Sequence, residues 1–193
     1  FPLFNRYVGL ELASIQNGVN NMRDAKGAIY VKSMGNSFRQ NSTNGFSCGE
    51  EGVDDDGALS CSIRFHDALH TLPYIIGVGA LAAKGVKTSY SDIDSSIWVS
   101  GMGGEFGLNS NVFPGYESSS PHYYEPAIMT TDQSSCAKGY VGNFGRYYND
   151  FNDPTGSPEN QECNYVSTFN GTSSAAPSVA GGIAVLLGAY PDL

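Results

Sequence analysis

Gly171-Thr172-Ser173-Ser174-Ala175-Ala176-Pro177 is the stretch that decides how this chain is read, and Ser178-Val179-Ala180-Gly181-Gly182-Ile183-Ala184 follows it directly. Residues 174–187 are apolar on nearly every face of a helix, so the sequence predicts a buried helix that opens near Ser173. Small neighbours around that serine leave room for another backbone. A helix start aims free N–H groups and the positive end of the macrodipole at whatever the hydroxyl touches. Pro177 fits early in such a helix, where its missing N–H costs little. The same serine also suits a plain N-cap, which needs only a side-chain oxygen.

Working outward, Leu10–Arg23 places Leu10, Leu12, Ala13, Ile15, Val19 and Met22 close to a helical period. Ala28–Val31, Tyr74–Ala80 and Ser96–Ser100 read as buried strands, and Ala127–Thr130 as a fourth. Between them lie long irregular stretches rich in Gly, Ser and Asn, notably residues 37–60, 101–123 and 133–164. Helices and strands in this order predict an α/β layer fold. Loops of that length usually carry function.

Composition narrows the function. The chain has 193 residues, with Lys+Arg 10 against Asp+Glu 19 and a net charge of −9. A surface that displaces counterions from phosphates needs a basic face, so nucleic acid is an unsuitable partner, as is anionic lipid. Hydrophobic residues at 40% and aromatics at 12% support a packed core. Charged residues reach only 15%, leaving the polar surface to Ser, Asn, Gly and Tyr, a habit that suggests a secreted or periplasmic protein. No charge occurs from Asn164 to Pro191. Asn, Ser, Thr, Pro177 and Gly181-Gly182 dilute that stretch, and its purely apolar core, Ile183–Leu187, falls short of the ~20 residues of a membrane span. No membrane segment is expected.

Gly-Thr-Ser-x-Ala-x-Pro followed by a small apolar helix resembles the nucleophile signature of the subtilisin-like serine proteases. Gly27-Ala28-Ile29-Tyr30-Val31-Lys32-Ser33-Met34-Gly35-Asn36 resembles that family's strand ending in Gly-Asn, whose Asn side chain donates to the oxyanion. The resemblance implies a partial subtilisin-like three-layer fold, with a mostly parallel sheet and long surface loops. It implies Ser173 as nucleophile and Asn36 as oxyanion donor. Trp98, Ser100 and Gly101 then stand where the family lines its substrate cleft. Ile128-Met129-Thr130-Thr131-Asp132, Cys136 and the Ala189–Leu193 ending are similar to the kexin/furin-like branch. In that branch an acidic residue seven positions before Tyr74 forms the base of the primary specificity pocket. Asp67 stands there, and a carboxylate in that place pairs with a substrate Arg or Lys. Asp92 matches a branch position that helps bind calcium.

One departure is large. The family's Asp and His motifs both precede the oxyanion Asn, and neither is here. His66, His70 and His122 follow Asn36 and lack a His-Gly-Thr context. The chain therefore reads as the C-terminal portion of one catalytic domain, residues 1–193, with residues 137–163 as an insertion. The N-terminal half becomes its first partner and a peptide or protein its second. The rival reading is a pseudo-protease or peptide-binding module that keeps the cleft without the chemistry.

Other features have plainer readings. Glu50, Glu51, Asp54, Asp55 and Asp56 cluster carboxylates as calcium prefers, but the twelfth residue of a loop opening at Asp54 is Phe65 rather than the Glu of an EF-hand. Cys48 and Cys61 enclose twelve residues, and Cys136 and Cys163 enclose twenty-six, so both pairs close short loops and are expected as disulfides. The resemblance places the usual partner of Cys136 further upstream, which leaves that alternative open. A zinc site from Cys48, Cys61, His66 and His70 has the wrong cysteine spacing. Gly77-Val78-Gly79-Ala80-Leu81-Ala82 fits a dinucleotide fingerprint formally, without the ribose acid that should follow. Asn41 and Asn170 head glycosylation sequons, and a glycan on Asn170 would smother Ser173, so that one is expected to stay unused.

Overall fold

The computed structural model describes residues 9–38, 68–109, 121–141 and 149–193. They fall into two compact units. The first takes in the chain up to Gly79, Tyr90–Gly101 and Ala175–Leu193; the second comprises Ala80–Ser89 and Met102–Ser174.

In the first unit, helix α1 (Gly9–Asn21) buries Ile15 and Gly18. A side chain at Gly18 would collide with the Tyr30 ring, so the glycine lets the helix lie close against the first strand. Strands β1 (Tyr30–Ser33), β2 (Ile75–Leu81) and β3 (Ile97–Met102) form one sheet in the order β1-β2-β3. β1 and β2 run parallel, with Tyr30 opposite Ile75 and Ser33 opposite Val78. Parallel neighbours need a long crossover, and the chain between them supplies it. Met34 and Val78, both wholly buried, pack at the end of this pair, joined by Met34 N–H donating to the Val78 carbonyl at 3.0 Å.

Helix α2 (Thr172–Ala189) begins two residues before the predicted stretch and is one continuous helix. It is not buried as its composition suggested: Val185 is 75% and Leu186 48% exposed. By length and composition it matches a membrane span, against the expectation drawn from its Gly, Ser and Pro residues; core helices of soluble domains meet the same criterion. Strand β3 also departs from expectation, since Trp98 at 66% and Met102 at 67% are exposed. Apolar composition dictates that such surfaces favour cover; it does not say that the residues described here provide it.

The second unit is built on β4 (Ile128–Thr131) and β5 (Tyr165–Phe169), paired antiparallel with a bulge between Ile128 and Thr130. β5 was not foreseen. Its buried positions are Val166 and Thr168, while the aromatic Tyr165 and Phe169 face out. Val141, Cys163 and Val166 form a small core with Cys136 against it. Cys136 and Cys163 are disulfide-bonded, as their loop length suggested. Within the stretch expected to be an insertion, buried Asn152 accepts from Ser167 N–H at 3.0 Å and donates to Thr168 Oγ1 at 3.2 Å. Cys48, Cys61, His66 and the acidic run lie outside the described residues, as does Asn41.

Candidate active site

The turn that opens α2 is held by a local closure and by contacts from distant carbonyls. Gly171 has φ +104°, a conformation that costs a side-chain-bearing residue and costs glycine nothing. The following three residues alternate: Thr172 is fully buried, Ser173 exposed, Ser174 buried. Ser174 N–H donates to the Gly171 carbonyl at 3.0 Å. Its hydroxyl lies 2.9 Å from Gly171 O, 3.1 Å from Gly103 O and 3.2 Å from Met102 O, so its one proton has three acceptors within reach. Ser173 is thereby pushed outward in the first turn of α2, where unsatisfied N–H groups and the helix dipole favour negative charge. Pro177 is the sixth helical residue rather than one of the first. Its missing N–H is the one that would otherwise bond the Ser173 carbonyl four residues back. Asn170, the sequon asparagine, is half-buried beside this turn.

The second turn stands at the end of β1. Gly35 has φ +108°, and Asn36 is exposed between half-buried Gly35 and Ser37. The flanking residues are gripped from a distance: Asp92 N–H donates to Gly35 O at 3.0 Å, and Asp92 Oδ1 accepts from Ser37 N–H at 2.9 Å. Phe38 N–H donates to Tyr90 O at 3.2 Å. Asp92 is wholly buried.

Of the other expected residues, Trp98 and Ser100 lie exposed on β3. Gly101 lies beside α2, and a Cβ there would meet the Ala175 carbonyl at 2.5 Å, so only glycine permits that approach. Asn36, Asp92, Trp98, Ser100 and Gly101 belong to the first unit and Ser173 to the second. Asp67 lies outside the described residues. Buried His70 places Nε2 3.2 Å from the Ser33 carbonyl.

Two features of the second unit escaped sequence reasoning. Glu105, 1% exposed, accepts from Ser89 N–H at 2.6 Å and from the Ser89 hydroxyl at 2.9 Å. With His122 and Glu125 it forms a trio whose ligand-type atoms lie within 4.8 Å of one another. The chain's own donors already engage it, since Lys84 Nζ sits 2.9 Å from Glu125 as Ser89 does on Glu105. Asp132 is the second. Burial pushes its carboxyl up, but N–H donation from Val141, Tyr140 and Gln133 outweighs this and holds it below the ordinary aspartate value. Only the neighbouring glycines, Gly103-Gly104 and Gly139, hinted at either, by marking tight turns.

An exposed asparagine in the turn after β1 and an exposed serine on the first turn of a helix are features of a class that the wider comparison identifies. The chain belongs to the subtilase family, whose profile matches residues 6–193. It is 33% identical over 175 residues to the Aeromonas extracellular serine protease of Aeromonas sobria, covering 88% of this chain and 24% of that protein. A calcium-dependent protease of Trichormus variabilis is 29% identical over 175 residues, 91% of this chain and 19% of that one. The crystal structure of the A. sobria serine protease superposes with a TM-score of 0.75 at 29% identity, covering 98% of this chain and 28% of that chain. The same protease in complex with the chaperone ORF2 gives 0.72 at 28% identity. The fold is thus a subtilisin-like α/β domain in part, and the chain spans about a quarter of the A. sobria relative's length.

Proposed function

We propose that the complete protein is a secreted serine endopeptidase of the kexin-like branch, and that this chain carries its nucleophile and oxyanion donors. The observation that carries the proposal is the Gly171 turn, which holds Thr172 and Ser174 inside and presents Ser173 outward at a helix start. Relatives named serine proteases support it, and the A. sobria relative is named extracellular.

In this reading Ser173 Oγ attacks the scissile carbonyl carbon while a histidine takes the hydroxyl proton. Negative charge then develops on the carbonyl oxygen, where the Ser173 N–H and the Asn36 side-chain amide donate to it. The histidine returns its proton to the leaving amine, and water later repeats the attack on the acyl-enzyme. No His-Gly-Thr segment stands in these 193 residues, so we assign the base and its orienting aspartate to chain outside them. Asp67 selects Arg or Lys at the cleavage site, and Trp98, Ser100 and Gly101 line the path of the peptide.

Calcium enters through the relatives named calcium-dependent proteases. It prefers six to eight oxygens. Among the described residues the only trio of metal-ligating side chains is Glu105, His122 and Glu125, and Asp92 is not in it. Asp92, expected as a calcium ligand, is instead engaged on the Gly35–Ser37 turn, its Oδ1 accepting from Ser37 N–H at 2.9 Å, so any calcium ion of this protein would draw its ligands from outside these residues.

The test is hydrolysis of fluorogenic peptides ending in Arg, Lys or Leu by the complete protein. Cleavage after Arg and Lys is expected, falling at least about 10⁴-fold in Ser173→Ala. Asp67→Asn should lower kcat/KM for Arg by about two to three decades and leave Leu peptides nearly unchanged. Undiminished cleavage by Ser173→Ala would overturn the nucleophile assignment. A parent protein that binds these peptides without cutting them would leave the pseudo-protease reading in its place.

A further inference from the structure

The exposed amide of Asn36 is useful to an oxyanion only if its backbone is fixed, because a donor displaced by about an ångström loses most of its effect. Gly35 adopts φ +108°, and a glycine gives up more conformational freedom on ordering than any other residue. Two hydrogen bonds close on the turn from a single residue 55 positions away: Asp92 N–H to Gly35 O at 3.0 Å, and Ser37 N–H to Asp92 Oδ1 at 2.9 Å. They grip the residue before Asn36 and the residue after it. Phe38 N–H to Tyr90 O, at 3.2 Å, extends the same contact by one step.

We propose that Asp92 is a positioning residue of the peptidase, clamping the turn that carries Asn36 and so fixing the oxyanion donor. This inference rests on the assignment of Asn36 to the oxyanion. Three observations support a built clamp rather than a chance contact. Asp92 is 0% exposed, so its charge is removed from water and must be met by donors. The bond from Ser37 is charge-assisted, the stronger kind. Both partners are backbone groups of the turn itself, so the clamp acts on φ and ψ around Asn36 rather than on its side chain.

A clamp and a calcium ligand make different demands on Asp92. The clamp needs an acceptor oxygen at Oδ1, which asparagine also offers. Calcium affinity rises with the number of charged ligands, so asparagine would weaken an ion site while glutamate keeps its charge. Turnover of the complete enzyme should therefore be measured for Asn36→Ala, Asp92→Ala, Asp92→Asn and the double variant Asn36→Ala/Asp92→Ala, with thermal unfolding midpoints with and without calcium. Asp92→Ala should lower kcat by about 10- to 100-fold with KM within about twofold of the parent, as expected for a loss confined to the transition state. Asp92→Asn should stay within about threefold. On the Asn36→Ala background, Asp92→Ala should cost less than about twofold more, because residues acting as one unit are not additive.

Full multiplication of the two losses in the double variant would overturn the clamp, as would an Asp92→Ala enzyme with parental kcat. Asp92→Asn as damaged as Asp92→Ala, with loss of the calcium-dependent rise in midpoint, would overturn it in favour of an ion ligand. If Asp92→Ala does not fold, Asp92→Glu carries the comparison: it moves the oxygen by one methylene, so kcat should fall in the parent and barely fall further in Asn36→Ala, and parental kcat would refute the clamp. An Asn36→Ala enzyme with undiminished kcat is a separate result, which removes the oxyanion assignment itself.

Discussion

The Gly35 turn and the Gly171 turn share a plan. Each has a glycine at positive φ, +108° in one and +104° in the other, with an exposed polar residue one or two positions later. Each is flanked by buried side chains, Met34 and Phe38 on one side of the comparison, Thr172 and Ser174 on the other. What differs is the origin of the hold. Ser174 closes its turn three residues back, on Gly171 O, and its hydroxyl adds distant acceptors in the Met102 and Gly103 carbonyls. The Asn36 turn is bonded on both sides of Asn36 by the distant Asp92. A locally closed turn survives small changes elsewhere; one closed over long sequence distance is only as firm as its distant partner.

Several measurements sharpen or break that contrast. The largest effect belongs to Asn36→Ala, which should lower kcat of the complete enzyme by about 10²–10³, roughly 3–4 kcal/mol of transition-state stabilisation, with little change in KM. A change in KM alone would mean that Asn36 binds substrate without stabilising the transition state. Next comes the Cys136–Cys163 bridge of the unit that also holds Ser173. A loop of this length contributes about 3–4 kcal/mol on the chain-entropy model. Replacing both cysteines with serine should lower the unfolding midpoint markedly, and an unchanged midpoint would show the β4–β5 unit to be held by its asparagine network alone.

Smaller again are the two glycines. Gly35→Ala and Gly171→Ala each force a Cβ into a left-handed backbone, at about 1–3 kcal/mol. Both should destabilise. Only Gly35→Ala should add a kcat loss that shrinks on an Asp92→Ala background, since Asp92 bonds the Gly35 turn directly. Equal coupling of both glycines to Asp92 would erase the distinction.

The smallest effect is one of pH. Three N–H donors outweigh burial and depress the Asp132 pKa below its ordinary 3.8. The carboxylate therefore contributes stability that is fully present above about pH 4 and is lost as pH falls through its lower folded value. Unfolding midpoints from pH 5 to pH 2 should fall less steeply in Asp132→Asn than in the parent. A parallel fall would assign the acid sensitivity to other carboxylates.

The same contrast explains what the sequence made legible. The Ser173 turn was readable through its resemblance to a short family signature, since a glycine, small residues and an apolar helix all stand within about fifteen positions, while the support of Ser174 from residues 102 and 103 was not. Gly35-Asn36 was readable as a turn, but its support was not, since nothing near residue 36 points to residue 92. Glu105 on Ser89 is the same kind of long-range satisfaction. β5 escaped because its alternation is mixed: Val166 and Thr168 are inside while Tyr165 and Phe169 are outside. A hydrophobic-in, polar-out template passes over such a strand. β3 and α2 were recognised as elements, and their exposure was misjudged because composition reports what a segment favours and not what lies against it. Asp67, the proposed specificity residue, rests on the branch resemblance, located by its distance from Tyr74, and lies outside the described residues.

The central claim is that Ser173 is the nucleophile, and covalent labelling reaches it most directly. A fluorophosphonate probe added to the complete protein should phosphonylate Ser173, identified by peptide mass spectrometry, and should leave Ser173→Ala unlabelled. Asn36→Ala should label more slowly, because the phosphonyl oxygen uses the same donors as the oxyanion. A label found on Ser174 or Ser178, or one that persists in Ser173→Ala, would contradict the account.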